Sequence, residues 1–103
     1  MLESSLETEF KKYVESHGCV YLKFAIIGVA GFPDRIVIGK GRLIFFIEWK
    51  RPGAKNKKRK GEALQSFRHK TLRKFGFNVY VLDNLEEAKG VLHAEFRGVQ
   101  ERD

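Results

Sequence analysis

Residues 34–50 read Asp34-Arg35-Ile36-Val37-Ile38-Gly39-Lys40-Gly41-Arg42-Leu43-Ile44-Phe45-Phe46-Ile47-Glu48-Trp49-Lys50. Two runs of β-branched and aromatic residues flank a short segment with two glycines, the pattern of a hairpin. Residues 34–38 form one predicted strand, residues 43–50 the next, and residues 39–42 the turn. The second strand opens with five apolar residues in succession, Leu43 to Ile47, so it is expected to be covered on both faces. It then ends in charge. Glu48 and Lys50 are two apart and share a face. An unpaired charge buried there costs on the order of several kcal/mol. A metal ion, a phosphate or a mutual ion pair has to offset that cost.

The turn supplies a third group. With Gly41 at its centre, Ile38 faces Ile44, Ile36 faces Phe46, and Asp34 faces Glu48. Directly opposed residues share a face, with Cβ atoms about 5 Å apart. Two carboxylates that close repel unless a cation sits between them. A slip of one residue would send Asp34 to the other face. Oxygen-only donors suit Mg²⁺ or Mn²⁺ and not zinc. Mg²⁺ keeps several waters, so two carboxylates and a carbonyl suffice. Lys50 beside it can position a water while the metal polarises a phosphate, the makings of phosphodiester hydrolysis. The alternative is a structural Glu48–Lys50 pair, with Asp34 a turn residue after Pro33. An isolated Glu-x-Lys favours that alternative, and a Pro-Asp at hairpin distance shifts the balance towards the metal site.

Outward from the hairpin, Leu6, Phe10, Tyr13 and Val14 repeat at helical spacing. They predict a helix over 5–17, capped by Ser4 or Ser5 and stopped by Gly18. Residues 19–27 read as a strand and 28–33 as a loop. Leu64, Phe67, Thr71, Leu72 and Phe75 mark the apolar face of a second helix ended by Gly76, with Arg68, His69, Lys70, Arg73 and Lys74 mostly on its other faces. Residues 77–82 form a fourth strand. Asp83 or Asn84 caps a short final helix through about Leu92, and no element is assigned from His93 on. Helix, three strands, helix, strand, helix describes one domain over 1–103: an α/β or α+β layer around a mixed four-stranded sheet.

The 103 residues carry a net charge of +7, from 20 Lys and Arg against 13 Asp and Glu. The placement of that charge is more informative than its size. Lys50, Arg51, Lys55, Lys57, Lys58, Arg59 and Lys60 lie in eleven positions without an acid. Outside them, acids and bases balance. Such a segment is either an anion-binding surface suited to a polyphosphate backbone or a solvated loop. Cys19 stands alone, so no intramolecular disulfide or zinc motif exists, and it reads as a small buried side chain. No segment resembles a signal peptide or a transmembrane span, which points to a soluble, cytoplasmic protein. His17, His69 and His93 share no spacing and read as surface residues, His69 being a candidate phosphate contact. Trp49 points away from Glu48, towards core or a dimer contact. Gly31 reads as a place of close chain approach near the metal.

Taken in order, Gly31-Phe32-Pro33-Asp34-Arg35, then Phe46-Ile47-Glu48-Trp49-Lys50, then Gln65 resemble the PD-(D/E)XK nuclease superfamily. The closer likeness is to stand-alone VRR-NUC domains, many of them carried by bacteriophages, and it runs from Glu7 to about Asp83. The segment Ala54 to Gly61 is longer and more basic than that family leads one to expect. The resemblance implies an αβββαβ restriction-endonuclease-like core. It implies Asp34 and Glu48 as metal ligands aided by the backbone carbonyl of Trp49, and Lys50 as the catalytic lysine. Glu7 would contact the metal directly or through water, and Gln65 would support the site from the second helix. Lys23, Arg51, Lys55, Lys57, Lys58, Arg59, Lys60 and His69 are the expected DNA contacts. Family members of this kind are similar to Holliday-junction resolvases and form homodimers, which implies branched or four-way DNA as substrate. A Mg²⁺-dependent DNA endonuclease is therefore the expected activity. A nucleic-acid-binding module without catalysis is the alternative, and an assembly domain with incidental charges is a third class.

Overall fold

The computed structural model describes residues 3–25, 28–53 and 61–102. In chain order these form α1 (Glu3–Ser16), β1 (Val20–Lys23), β2 (Arg35–Gly39), β3 (Leu43–Trp49), α2 (Glu62–Lys74), β4 (Asn78–Leu82) and α3 (Leu85–Arg102). The sheet order is β1-β2-β3-β4. β2 lies between β1 and β3 and is antiparallel to both, and β4 joins β3 in parallel after the α2 crossover. The β2–β3 register pairs Ile38 with Ile44, Ile36 with Phe46 and Arg35 with Ile47. This is the register expected for a turn centred on Gly41. Gly41 and Arg42 both take left-handed conformations there. A Cβ on Gly41 would lie 2.5 Å from Val99 Cγ1, so the turn is pressed against α3.

Alternation along the strands builds two layers. Tyr21, Val37, Phe45, Ile47, Trp49 and Leu82 join Leu6, Phe10 and Val14 of α1 and Ala88 and Leu92 of α3 in the main core. The opposite face carries Ile36, Phe46 and Val79, with Phe24, Ile44, Leu72 and Phe77 packed on them. All but one of the side chains of β3 are buried, as its continuous apolar run requires.

Four sequence expectations change. β1 spans four residues rather than nine. A strand continues only as far as its partner, and β2 begins at Arg35, just after Pro33, which has no N–H to offer; only the bond from Phe24 N to Asp34 O (2.7 Å) prolongs the pairing. Residues 26 and 27 of the expected strand lie outside the described residues. α1 starts at Glu3, placing Ser4 and Ser5 inside its first turn. α3 continues to Arg102, through Gly90 and Gly98, because Phe96 and Val99 extend its apolar stripe onto the core. Its start is capped by Asn84, whose Oδ1 accepts from Glu87 N at 2.7 Å.

The fourth change concerns α2. Leu64, Phe67 and Phe75, expected to face the core, are 40%, 58% and 70% exposed. Leu72 alone of the expected face packs on the sheet cluster. His69, read as a surface residue, is buried. The helix is thus turned so that Gln65, Ser66, His69 and Arg73 look into a cleft beside β4, while Leu64 and Arg68 abut Gly31 in the loop before β2.

Candidate active site

Glu48 and Lys50 sit at the end of the central strand β3, on the face towards α2, and are 8% and 9% exposed. Lys50 Nζ lies 3.9 Å from Glu48 Oε2 and donates to Gln65 Oε1 at 2.9 Å. Helix α2 therefore fixes the head of Lys50, and the parallel partner strand fixes its backbone: Lys50 N donates to Leu82 O at 2.8 Å. The Trp49 carbonyl shares a trans peptide with that N–H and points the opposite way, away from β4 and towards the β2 side of β3. The indole of Trp49 is in the core, where Nε1 donates to Tyr21 Oη at 2.7 Å.

Asp34 lies one residue outside the β2 ladder. Continuing the Arg35–Ile47 pairing by one step sets it across from Glu48. Its side chain is half-exposed. Partial burial pushes its carboxyl above the usual carboxylate range, and the neighbouring Arg35 guanidinium pulls it back down.

Arg35, by contrast, points to the α1 face. Its Nε and Nη2 grip the Glu7 carboxylate, its Nη1 donates to Asp34 O at 2.9 Å, and Nη1 also lies 3.4 Å from Asp34 Oδ2. Tyr21 Oη donates to Glu7 Oε1 at 2.7 Å. Glu7 is thus tied into an Arg35–Tyr21–Trp49 network, reaching the Asp34 side of the site through Arg35. Burial and the Glu7 carboxylate raise the Tyr21 phenol well above its ordinary value, so it acts as a hydrogen-bond donor. Strand alternation alone sends Arg35 to the other face of the sheet from Asp34, in a structural role; its partner there, Glu7, comes from α1 and is set by tertiary packing.

His69 lies one helical turn beyond Gln65. Its Nε2 is buried without a hydrogen-bond partner among the described residues. Burial, then Arg73 and Lys50, lower its pKa to about 4. Lys23 is exposed at the end of β1 and shares a surface hollow with Glu7, Lys11 and Arg35. Arg51 is exposed directly after Lys50. Lys55, Lys57, Lys58, Arg59 and Lys60 lie outside the described residues.

The donors available to a metal are oxygens. Among the described residues no three His, Cys, Asp or Glu side chains converge in a metal-binding group. Two carboxylates and one carbonyl are too few for a closed cage but fit a cation that keeps most of its water, as Mg²⁺ does.

No protein-family model matches the sequence, and no curated protein matches it. Among solved structures, a chain described as a VRR_NUC domain matches with a TM-score of 0.76 and 27% sequence identity, covering 88% of this chain and 94% of that one. The class defined by this sheet, its flanking helices and the match is a nuclease-type α+β domain. Within that class, the chain is similar over most of its length to a VRR-NUC domain.

Proposed function

We propose that this domain is a divalent-metal-dependent DNA endonuclease in which Asp34, Glu48 and Lys50 carry the chemistry. The observation that carries the proposal is Lys50, buried at the end of β3 with its ammonium between the Glu48 carboxylate and the Gln65 amide. Lysine is almost never this buried unless paired, and here the pairing groups are a carboxylate and an amide at the end of the central strand. Mg²⁺ or Mn²⁺, held by the Asp34 and Glu48 carboxylates and the Trp49 carbonyl, would supply Lewis-acid polarisation of a phosphate. Lys50 directs its N–H groups at the phosphate or the attacking water, and Gln65 holds it in that pose. Glu7 supports Asp34 through Arg35; direct contact of Glu7 with a metal would require it to release Arg35.

The DNA is held by the basic segment of Arg51, Lys55, Lys57, Lys58, Arg59 and Lys60, with Lys23 on the neighbouring strand. His69 contributes from the cleft wall. A branched or four-way substrate suits a homodimer, and the apolar surface formed by Val20, Leu22 and Ile38, all more than a third exposed, supports pairing of two copies. No described helix is long and apolar enough to cross a membrane.

The test is incubation of labelled linear, flap and four-way DNA with Mg²⁺, Mn²⁺ or EDTA. Cleavage is expected with either metal and not with EDTA. Asp34→Asn and Lys50→Ala should each lower it by roughly 10²-fold or more, with DNA binding retained in Asp34→Asn. Undiminished cleavage by Lys50→Ala rules the assignment out. Binding under all conditions with cutting under none identifies a non-catalytic DNA-binding module instead.

A further inference from the structure

Helix α2 has polar residues where a helix packed on a sheet ordinarily has apolar ones. Gln65, Ser66, His69 and Arg73 follow at helical spacing and line a cleft of about 240 Å³ with Lys50, Val81 and Glu62. The apolar side chains that could have filled it, Leu64 and Phe67, are turned outward. The cleft adjoins the Asp34–Glu48 site, and Lys50 stands at their common boundary: Glu48 lies on one side of its ammonium and Gln65 on the other.

We propose that this cleft is a second phosphate subsite, taking the phosphodiester group that adjoins the scissile one; the assignment rests on the nuclease reading above. Its walls offer hydrogen-bond donors in excess. The Lys50 ammonium and the Arg73 guanidinium have no acceptor capacity, and the Ser66 hydroxyl can donate. Gln65 gives its Oε1 to Lys50, which turns the donating end of the same amide away from that bond. Within the cleft the two cations, Lys50 and Arg73, meet one acid, the exposed Glu62, and Glu48 lies across the boundary beside Lys50. His69 is 5% exposed and its Nε2 has no partner among the described residues, a defect that ordinarily destabilises a fold. Adding a donor or acceptor at that wall removes the defect. Gln65, His69 and Arg73 are each four residues apart, or about 6 Å along the helix axis, so the row runs away from Lys50 as a strand leaving the reactive centre would. A phosphodiester meets these demands: it is anionic, and it accepts several hydrogen bonds at once.

A coupling experiment tests the assignment. A strand that the wild-type protein cuts is made with one uncharged methylphosphonate at a time, and affinities are measured by fluorescence anisotropy in EDTA. Arg73→Gln is expected to weaken binding of unmodified DNA about ten-fold. One methylphosphonate, next to the cut, should weaken wild-type binding to a similar degree. Combined, the two should cost little more than either alone, because both remove one contact. Ser66→Ala, at an exposed hydroxyl with no part in the core, should couple to the same position with a smaller effect. It decides the matter should loss of the Arg73 bond to Val79 O prevent folding of the first variant. Effects that multiply at every position overturn the subsite while cleavage by the wild type leaves the nuclease reading intact. Where the wild type binds a strand without cutting it, the same scan on that strand applies, and coupling of Arg73→Gln to one phosphate there retains a phosphate-binding cleft and overturns the nuclease reading.

Discussion

His69 couples the candidate site to acid stability. In the fold its pKa lies at about 4, below the ordinary 6.5. Above 6.5 neither folded nor unfolded chain binds the proton, and the full stability is present. As pH falls from 6.5 to about 4, the unfolded chain takes up a proton that the folded chain refuses, so stability is lost over that window. The loss is on the order of 2–3 kcal/mol. Urea midpoints at pH 7.5 and 4.5 should therefore differ more for wild type than for His69→Gln, which lacks the titrating ring. Equal pH dependence in the two proteins would exclude His69 as the source. The other site residues differ in how far the sequence revealed them. The β2–β3 register from which Asp34 is set across from Glu48 was legible because strand alternation and a two-glycine turn leave little choice. His69 was misplaced because a helix gives no such constraint; which of its faces turns inward is decided by what the neighbouring loop and sheet leave open.

That choice was made at the level of elements, by the contact between α2 and the loop before β2. Gly31 has φ +92°, and a Cβ built on it would lie 2.7 Å from Leu64 Cγ and 3.1 Å from Leu64 O. The loop can lie against α2 only with glycine there, and this contact draws Leu64 and Arg68 to the loop and turns Gln65 and His69 towards Lys50. Arg68 completes the joint by donating to Ala30 O at 3.2 Å and stacking over Phe32. Gly31→Ala should cost roughly 2–4 kcal/mol from the left-handed backbone and the overlap together. The melting temperature should fall by about 10–20 °C. Cleavage at a temperature where the variant is still folded should fall as well, since a displaced α2 moves Gln65 off Lys50. A destabilised variant with undiminished cleavage would show that α2 does not position Lys50. β2, β3, β4 and the body of α1 were legible in the sequence, α1 from its apolar period and the strands from their β-branched and aromatic runs, whereas the length of β1 was set by its partner β2. α3 was cut short because two glycines interrupt a stripe that tertiary packing sustains, through Phe96 and Val99 against the core.

On the scale of the whole molecule, the two faces of the sheet are unequally covered. α1 and α3 close the main core, while on the other face α2 reaches β4 and β3. The β1–β2 end of that face keeps Val20, Leu22 and Ile38 at 50%, 44% and 38% exposure. Val20 is directly opposite Ile38, and Leu22 opposite Ile36, so these side chains form one patch beside the sheet edge. An apolar patch on an edge strand is a liability in a monomer and an asset at a two-fold interface. In the proposed homodimer a second copy covers it. Leu22→Glu combined with Ile38→Glu places like charges across the axis. It should convert a dimer to a monomer in sedimentation equilibrium, with circular dichroism unchanged because neither side chain belongs to the buried core. The monomer should retain cleavage of linear DNA if each protomer holds a complete site, and should lose preference for four-way DNA. A wild type that sediments as a monomer at every concentration would remove the dimer, and with it the geometric reason for preferring a junction, while leaving the chemistry assigned to Asp34, Glu48 and Lys50 untouched.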